Sequence, residues 1–344
     1  VKRSCLLTPL IILATILTLL AAGCSAEVKP PPSKKKTIGV LLSGDMRTAK
    51  LPGLKQGLEV IGYSENVNIE FIVKNAHNDE DLLLTLAEEL ARLRPDVIVA
   101  AGHIEARVLK EVTASEKIPV VFAGVASSVE QGLVESLQRP GGNLTGVDNY
   151  HTELSGKRLE LLQKLLPGVR QVMVVYDPTV PPALPGLRVV ESNAPRLGIG
   201  VLKEPVASRE DLRRLSLRLG RGSVDAILLM PSFRLEALTG EIVGMAKSLR
   251  IPVMGVNEHE AEYGCLASYG VSFTNQGRQA ARLVDKILNG QRPENIPVET
   301  PENIELVVNL DTARELGLSI SPVGLGLARV MVDSRVGKRG AAGE

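Results

Sequence analysis

The chain has 344 residues, of which 44% are hydrophobic and 23% charged, a globular composition that excludes intrinsic disorder. Forty basic residues against 39 acidic ones leave a formal charge of +1, which excludes a polyelectrolyte that would need nucleic acid or an anionic surface as partner.

Lys2 and Arg3 precede an apolar run from about Leu6 to Ala22, and Leu20-Ala21-Ala22-Gly23 leads into Cys24. A charged start, an apolar stretch and small residues at a cut site predict an export signal over 1–23. A cysteine directly behind the small residues resembles a bacterial lipobox, which implies lipidation of Cys24 and a lipid anchor to the membrane. A spanning anchor and a cut after Ala26 are the competing readings. The apolar run is about 17 residues and contains Pro9, against roughly 20 for a spanning helix. Residues 24–36, rich in proline and lysine, read as an extended tether.

From Thr37 onward, short apolar runs alternate with segments of helical periodicity. The runs are Ile38–Leu42, Val97–Ala101, Val120–Ala123, Val172–Tyr176, Ala226–Met230 and Val253–Val256. Leu82–Leu93 is a clear amphipathic helix among the segments between them. Runs that are apolar throughout suit parallel strands buried on both faces, and the alternation argues α/β units with crossover helices. The rhythm runs once over residues 37–138 and again over 153–264. The turn-rich Arg139–Val147 lies between. Two α/β halves joined by such a segment predict two lobes with a cleft. Leu266–Ser272 and Ile296–Pro301 are further candidate crossings, separated by a helix over Gln276–Leu288. The last strand and helix are Ile304–Asn309 and Thr312–Leu316, with Asp311 expected as N-cap and Gly317 as the stop. Residues 321–344 have weak periodicity and read as a mobile tail.

Several segments, in order and spacing, resemble the ABC-transporter substrate-binding family that includes tryptophan- and tyrosine-binding lipoproteins. They are Ile118–Ala123 with Gly132-Leu-Val, Pro140–Gly146, Leu159–Pro167 before a strand ending at Tyr176, Gly264–Gly270 with Gly277–Ala281, Ile296-Pro-Val, and Leu306–Asn309 with Ala313 and Leu316-Gly317. The resemblance spans about Thr37 to Ile320. It implies the type I periplasmic-binding protein fold: two doubly wound Rossmann-like lobes, three hinge crossings, and a ligand clamped between them. On this reading 37–147 with 270–296 form the N-terminal lobe, and 148–269 with 297–320 the C-terminal lobe.

In open α/β sheets a ligand sits beyond the carboxyl ends of the strands, where helix starts expose unpaired N–H groups and the positive end of the macrodipole. A carboxylate is a natural guest there. Strand ends and crossings give the candidate ligand-binding residues: Ser43, Asp45, Gly102, His103, Ser127, Ser128, Tyr150, Tyr176, Asp177, Ser232, Phe233, Asn257 and Tyr269. For Ser43, Asp45, Ser127 and Ser232 the alternative is a helix cap, and for the aromatic residues it is packing at the hinge. Without tryptophan, a sugar clamp of stacked indoles is not expected.

The chain departs from the family pattern at telling places. His103-Ile104 stands for Thr-Pro, Ser127-Ser128 for Asp-Pro, and Ser232-Phe233 for Asp-Asn. Asp177–Pro185 carries four prolines where a Ser-bearing helix start is usual, which delays the helix. The missing acidic cleft residues leave an amino group without an anionic partner unless Asp45, Asp177 or Glu258 substitutes. Arg47, Arg107 and Arg234 lie just past the cleft loops and are expected on exposed helix surface, with pairing to an anionic ligand as the alternative.

Asn257–Glu262 is acidic but lacks HExxH spacing and reads as a solvated first helical turn. His77, His103, His151 and His259 are scattered, and no GxSxG, P-loop or GxGxxG follows a strand. Cys5 leaves with the leader and Cys24 is the lipidation site, so Cys265 has no disulfide partner. The expectation is a non-enzymatic, monomeric solute-binding lipoprotein of an ABC importer, without cofactor, metal or nucleic acid. It takes an amino acid or related small carboxylate or aromatic solute and delivers it to a permease. A sensor module and an enzyme on the same scaffold are the alternatives.

Overall fold

The computed structural model describes residues 35–180, 183–335 and 340–341. The expected leader, Cys24 and the tether up to residue 34 lie outside the described residues. No helix among the described residues is long and apolar enough to cross a membrane.

The first sheet is parallel, with spatial order β2-β1-β3-β4-β5. Its strands are β1 (Lys36–Leu42), β2 (Ile69–Asn75), β3 (Val97–Ala100), β4 (Val120–Val125) and β5 (Leu144–Asp148). Their crossover helices are α1 (Lys50–Val60), α2 (Glu80–Arg92) and α3 (His103–Val112). Asp79 starts α2 two residues before the apolar pattern does, because its side chain accepts the N–H groups of Asp81 and Leu82. β1, β3 and β4 read as apolar because both faces are covered, whereas the edge strand β2 is partly exposed. Ile38, Val40 and Leu42 face one core with Leu54 and Leu58, while Leu41, Ile98 and Ala100 face another with Leu83, Leu90 and Leu109.

The chain then builds a second set: α4 (His151–Leu165), β6 (Gln171–Tyr176), α5 (Ala183–Leu197), β7 (Gly200–Pro205), α6 (Arg209–Arg218), β8 (Ala226–Leu229), α7 (Phe233–Ser248), β9 (Val253–Gly255) and β10 (Ala267–Val271). Here too the inner strands β6, β8 and β9 are buried on both faces, while the edge strand β7 is largely exposed. Val172, Val174 and Leu228 pack with Leu159 and Leu187; Met173, Val175 and Ile227 pack with Leu212 and Ile242. α8 (Phe273–Leu288) returns to the first lobe. β11 (Ile304–Asn309), α9 (Leu310–Leu316), α10 (Pro322–Leu325), β12 (Val330–Val332) and β13 (Gly340–Ala341) complete the second. The second sheet has the order β13-β12-β11-β10-β9-β8-β6-β7, with β11 antiparallel to β10. The two doubly wound lobes are joined by three crossings: after β5, after β10 and before β11. At the third, Glu299 pairs beside β5, its N–H donating to Gly146 O at 2.9 Å and its carbonyl accepting from Asp148 N at 2.8 Å.

Two readings of the C-terminal region change. The N-cap of α9 is Asn309, whose side chain accepts the Thr312 N–H, and not Asp311; Gly317 ends the helix in the left-handed region at φ 69°. Residues 321–335, expected in a mobile tail, carry α10 and a strand parallel to β11. Ser321 anchors this segment by donating its N–H to Leu165 O at 2.9 Å and its hydroxyl to Lys164 O. Weak periodicity misled because each piece is too short to show a repeat.

Helix α8 is held on α1 by glycines. A Cβ at Gly53 would overlap the carbonyl oxygen of Thr274, and one at Gly277 the carbonyl oxygen of Lys50. Gly277→Ala should therefore destabilise by about 1–3 kcal/mol through forced separation of the two helices. Gly240→Ala, inside α7 with open space around it, should stabilise by about 0.5–1 kcal/mol. Urea unfolding followed by circular dichroism separates the two outcomes.

Candidate functional site

The carboxyl ends of both sheets face a common cavity of about 70 Å³. The first residues of five helices line it: Lys50 of α1, His103 of α3, His151 of α4, Phe233 of α7 and Phe273 of α8. This follows from the winding, since each parallel strand ends where the next helix begins. The first turns of α3 and α4 have no side-chain cap, so their leading N–H groups remain available as donors toward the cleft.

Arg47 links the lobes. Its Nη1 donates to Glu105 Oε2 of α3 at 2.7 Å, and its Nε donates across the cleft to Glu236 Oε1 of α7 at 3.2 Å. Glu105 is fully buried and also accepts the Ser43 N–H at 2.8 Å. Gly102 leaves room for this guanidinium, because a Cβ there would overlap Arg47 Nη1. Burial acts to lower the pKa of Arg47, but the charges of Glu105 and Glu236 outweigh it and hold the guanidinium more firmly protonated.

The other titratable groups respond to burial. Lys50 donates its Nζ to the carbonyls of Ala101 and Ala123, the latter at 2.6 Å, and lies 4.4 Å from the centre of the Phe273 ring. Burial, then the charge of Arg47, lowers its pKa to about 7. Burial pushes His103 down to about 4. His151 is driven well below the ordinary histidine range by burial and by Arg158, whose Nη2 donates to His151 Nδ1 at 3.0 Å. Glu260 accepts the Val256 N–H at 2.5 Å, yet burial raises its pKa to about 7. His103 Nδ1 and Asn257 Oδ1 are buried with no hydrogen-bond partner among the described residues, and both residues line the cavity.

Of the residues expected at the site, His103, Ser232, Phe233 and Asn257 line the cavity. Ser232 also caps α7, accepting the N–H groups of Arg234 and Leu235. The remaining candidates lie off the wall. Asp45 is exposed beside Asn75 and His77, and Ser43 is buried against Glu105. Ser127, at φ 55°, and Ser128 give their N–H groups to Asp148, and Tyr150 is left-handed and 37% exposed. Tyr176 and Tyr269 pack on the second-lobe core. Asp177 is fully buried and accepts from Thr179, Ser232 and Arg234.

Two expectations are overturned. Arg47 is buried, because two carboxylates distant in sequence receive it. Asn257–Glu262 is not a solvated turn, since His259 and Glu260 are buried beneath it. Arg107 is exposed, as expected. The residues missed were Arg47, Lys50, His151, Glu236, Glu260 and Phe273. The usable signal was position, since Lys50, His151 and Phe273 open helices and Glu236 lies one turn into α7.

Residues 35–328 match the family described as ABC transporter substrate binding protein. The chain belongs to that family. A curated relative, the tyrosine-binding protein of Clostridioides difficile (strain R20291), is 28% identical over 86% of each chain. A crystal structure of a conserved domain protein from Vibrio cholerae covers 87% of this chain and 99% of its own, with 26% identity and a TM-score of 0.77. A Streptococcus pneumonia domain in complex with L-Trp covers 87% of this chain and 100% of its own, with 23% identity and a TM-score of 0.78. The fold they share is the type I periplasmic-binding one. Substrate-binding proteins of this family capture small solutes outside the cytoplasm.

Glu260 sets a pH signature. Its native pKa of about 7 lies above the unfolded value of 4.5, so its contribution to stability is complete below about pH 4.5 and lost as pH rises through 7. Relative to Glu260→Gln, the wild type should lose up to roughly 3 kcal/mol over that window. Urea midpoints by circular dichroism at a series of pH values test this; a constant difference would exclude a neutral buried carboxyl.

Proposed function

We propose that this chain is the exported, lipid-anchored solute receptor of an ABC importer, closing its lobes on an α-amino acid and presenting it to a permease. The enclosure formed by first residues of five helices from both lobes carries the reading. Uncapped first turns of α3 and α4 suit the solute carboxylate. Glu236, which shares its charge with Arg47, and Glu260, whose proton an incoming ammonium would displace, are the carboxyl groups that line the cavity, whereas Asp45 is exposed and Asp177 lies off the wall. Phe233, Phe273 and Met230 offer apolar surface to a side chain. The name of the curated relative and the L-Trp complex of the structural neighbour support the amino acid class. Leu20–Cys24 supports lipidation at Cys24 and retention at a membrane surface.

Thermal unfolding in the presence of L-amino acids, purines and small carboxylates tests the ligand class. An amino acid, with L-tyrosine and L-tryptophan foremost, should raise the midpoint, by the equivalent of about 2.7 kcal/mol at one hundred times its Kd. A response confined to purines or non-amino carboxylates would rule the amino acid out. Asn257→Ala and His103→Ala should each weaken binding about tenfold, as each removes a polar group lining the cavity. Cys24→Ser should move the protein from the membrane to the soluble fraction.

A further inference from the structure

A second ion pair joins the lobes away from the cavity. Arg234, the second residue of α7, donates its Nε to Glu80 Oε1 at 2.8 Å, and its Nη2 lies 2.7 Å from the same oxygen. Glu80 is the first residue of α2, in the other lobe. Neither residue lines the solute cavity.

The arginine is fixed on its own lobe before it meets Glu80. Its Nη1 donates to Asp177 Oδ2 at 3.2 Å and to Thr179 Oγ1 at 2.6 Å. Asp177, whose side chain is fully buried, is itself held by the Thr179 N–H at 2.9 Å and the Ser232 hydroxyl at 3.1 Å. The guanidinium also lies 4.7 Å from the centre of the Phe233 ring. An exposed ion pair is ordinarily weak because two long side chains must be ordered and water screens them. Here one of the two is already ordered by groups of its own lobe, and the arginine side chain is 30% exposed. The proline-rich Asp177–Pro185 segment, which departs from the family pattern, supplies both anchors, Asp177 and Thr179.

We propose that Arg234 and Glu80 are positioning residues for solute capture: a latch outside the cavity in which a guanidinium pre-set by Asp177 and Thr179 takes the facing carboxylate only when the lobes meet. The latch raises solute affinity by favouring the closed form, without touching solute. It rests on the two-lobe clamping reading above. Because the pair is partly exposed, added salt weakens it more than the buried Arg47–Glu236 pair.

Small-angle X-ray scattering of the full chain, stripped of solute by unfolding and refolding, tests the latch. Glu80→Gln should lower the ratio of closed to open molecules about two- to fivefold, the span of an exposed pair. Glu80→Lys, which faces Arg234 with like charge, should enlarge the radius of gyration further. The pair Glu80→Gln and Arg234→Gln together should do no more than either alone. Rising salt should expand the wild type and leave Glu80→Gln unmoved. Glu236→Lys, which breaks the cavity pair, is the control. If it expands the protein while Glu80→Lys does not, the latch is wrong and clamping stands. If neither variant changes the radius, the latch and the clamping reading fall together.

Discussion

The cleft is organised by a single guanidinium between two carboxylates. Glu105 holds Arg47 within the first lobe, and Glu236 reaches it from the second. Removing one partner of such a buried pair costs about 3–5 kcal/mol, since the remaining charge stays desolvated. The surrounding groups are arranged accordingly. Arg47's charge helps to keep Lys50 and His103 from protonating, and Gly102 must lack a side chain for the guanidinium to fit. The cavity wall is therefore rich in polar groups and poor in uncompensated charge, a setting suited to a solute carrying both signs.

The lobes themselves were legible for a plain reason. Strands such as Ile38–Leu42 and Val172–Tyr176 are covered on both faces, so their burial shows as unbroken apolar runs that no alternation disguises. Asp79 and Gly317 act through side-chain and backbone geometry that is local, and the ends of α2 and α9 fell close to where they were expected. The short elements α10 and β12 were not legible because their order comes from Lys164, Leu165 and β11 rather than from their own residues.

The site divides along the same line. Ser232, Phe233 and His103 could be found because the ends of β8 and β3 place them at helix starts. Ser127 and Asp177 occupy comparable positions but are engaged by Asp148 on one side and by Arg234 and Thr179 on the other. Arg47 was misjudged because its burial depends on partners 58 and 189 residues away in sequence. An arginine after a strand carries no local mark of what will receive it. The acidic run 257–262 misled in the opposite way. Its composition suits a wet surface, yet the close turn at Asn257–Glu260 folds Glu260 back onto the Val256 amide.

The short strand Val330–Val332 has a consequence beyond filling a sheet position. It covers the backbone of β11, which would otherwise offer a bare row of donors and acceptors to any passing strand. A bare sheet margin is where encounters between copies of a protein turn into aggregates. The segment thus works as a hem, leaving the sheet a margin of two short strands, three and two residues long, in place of the longer β11.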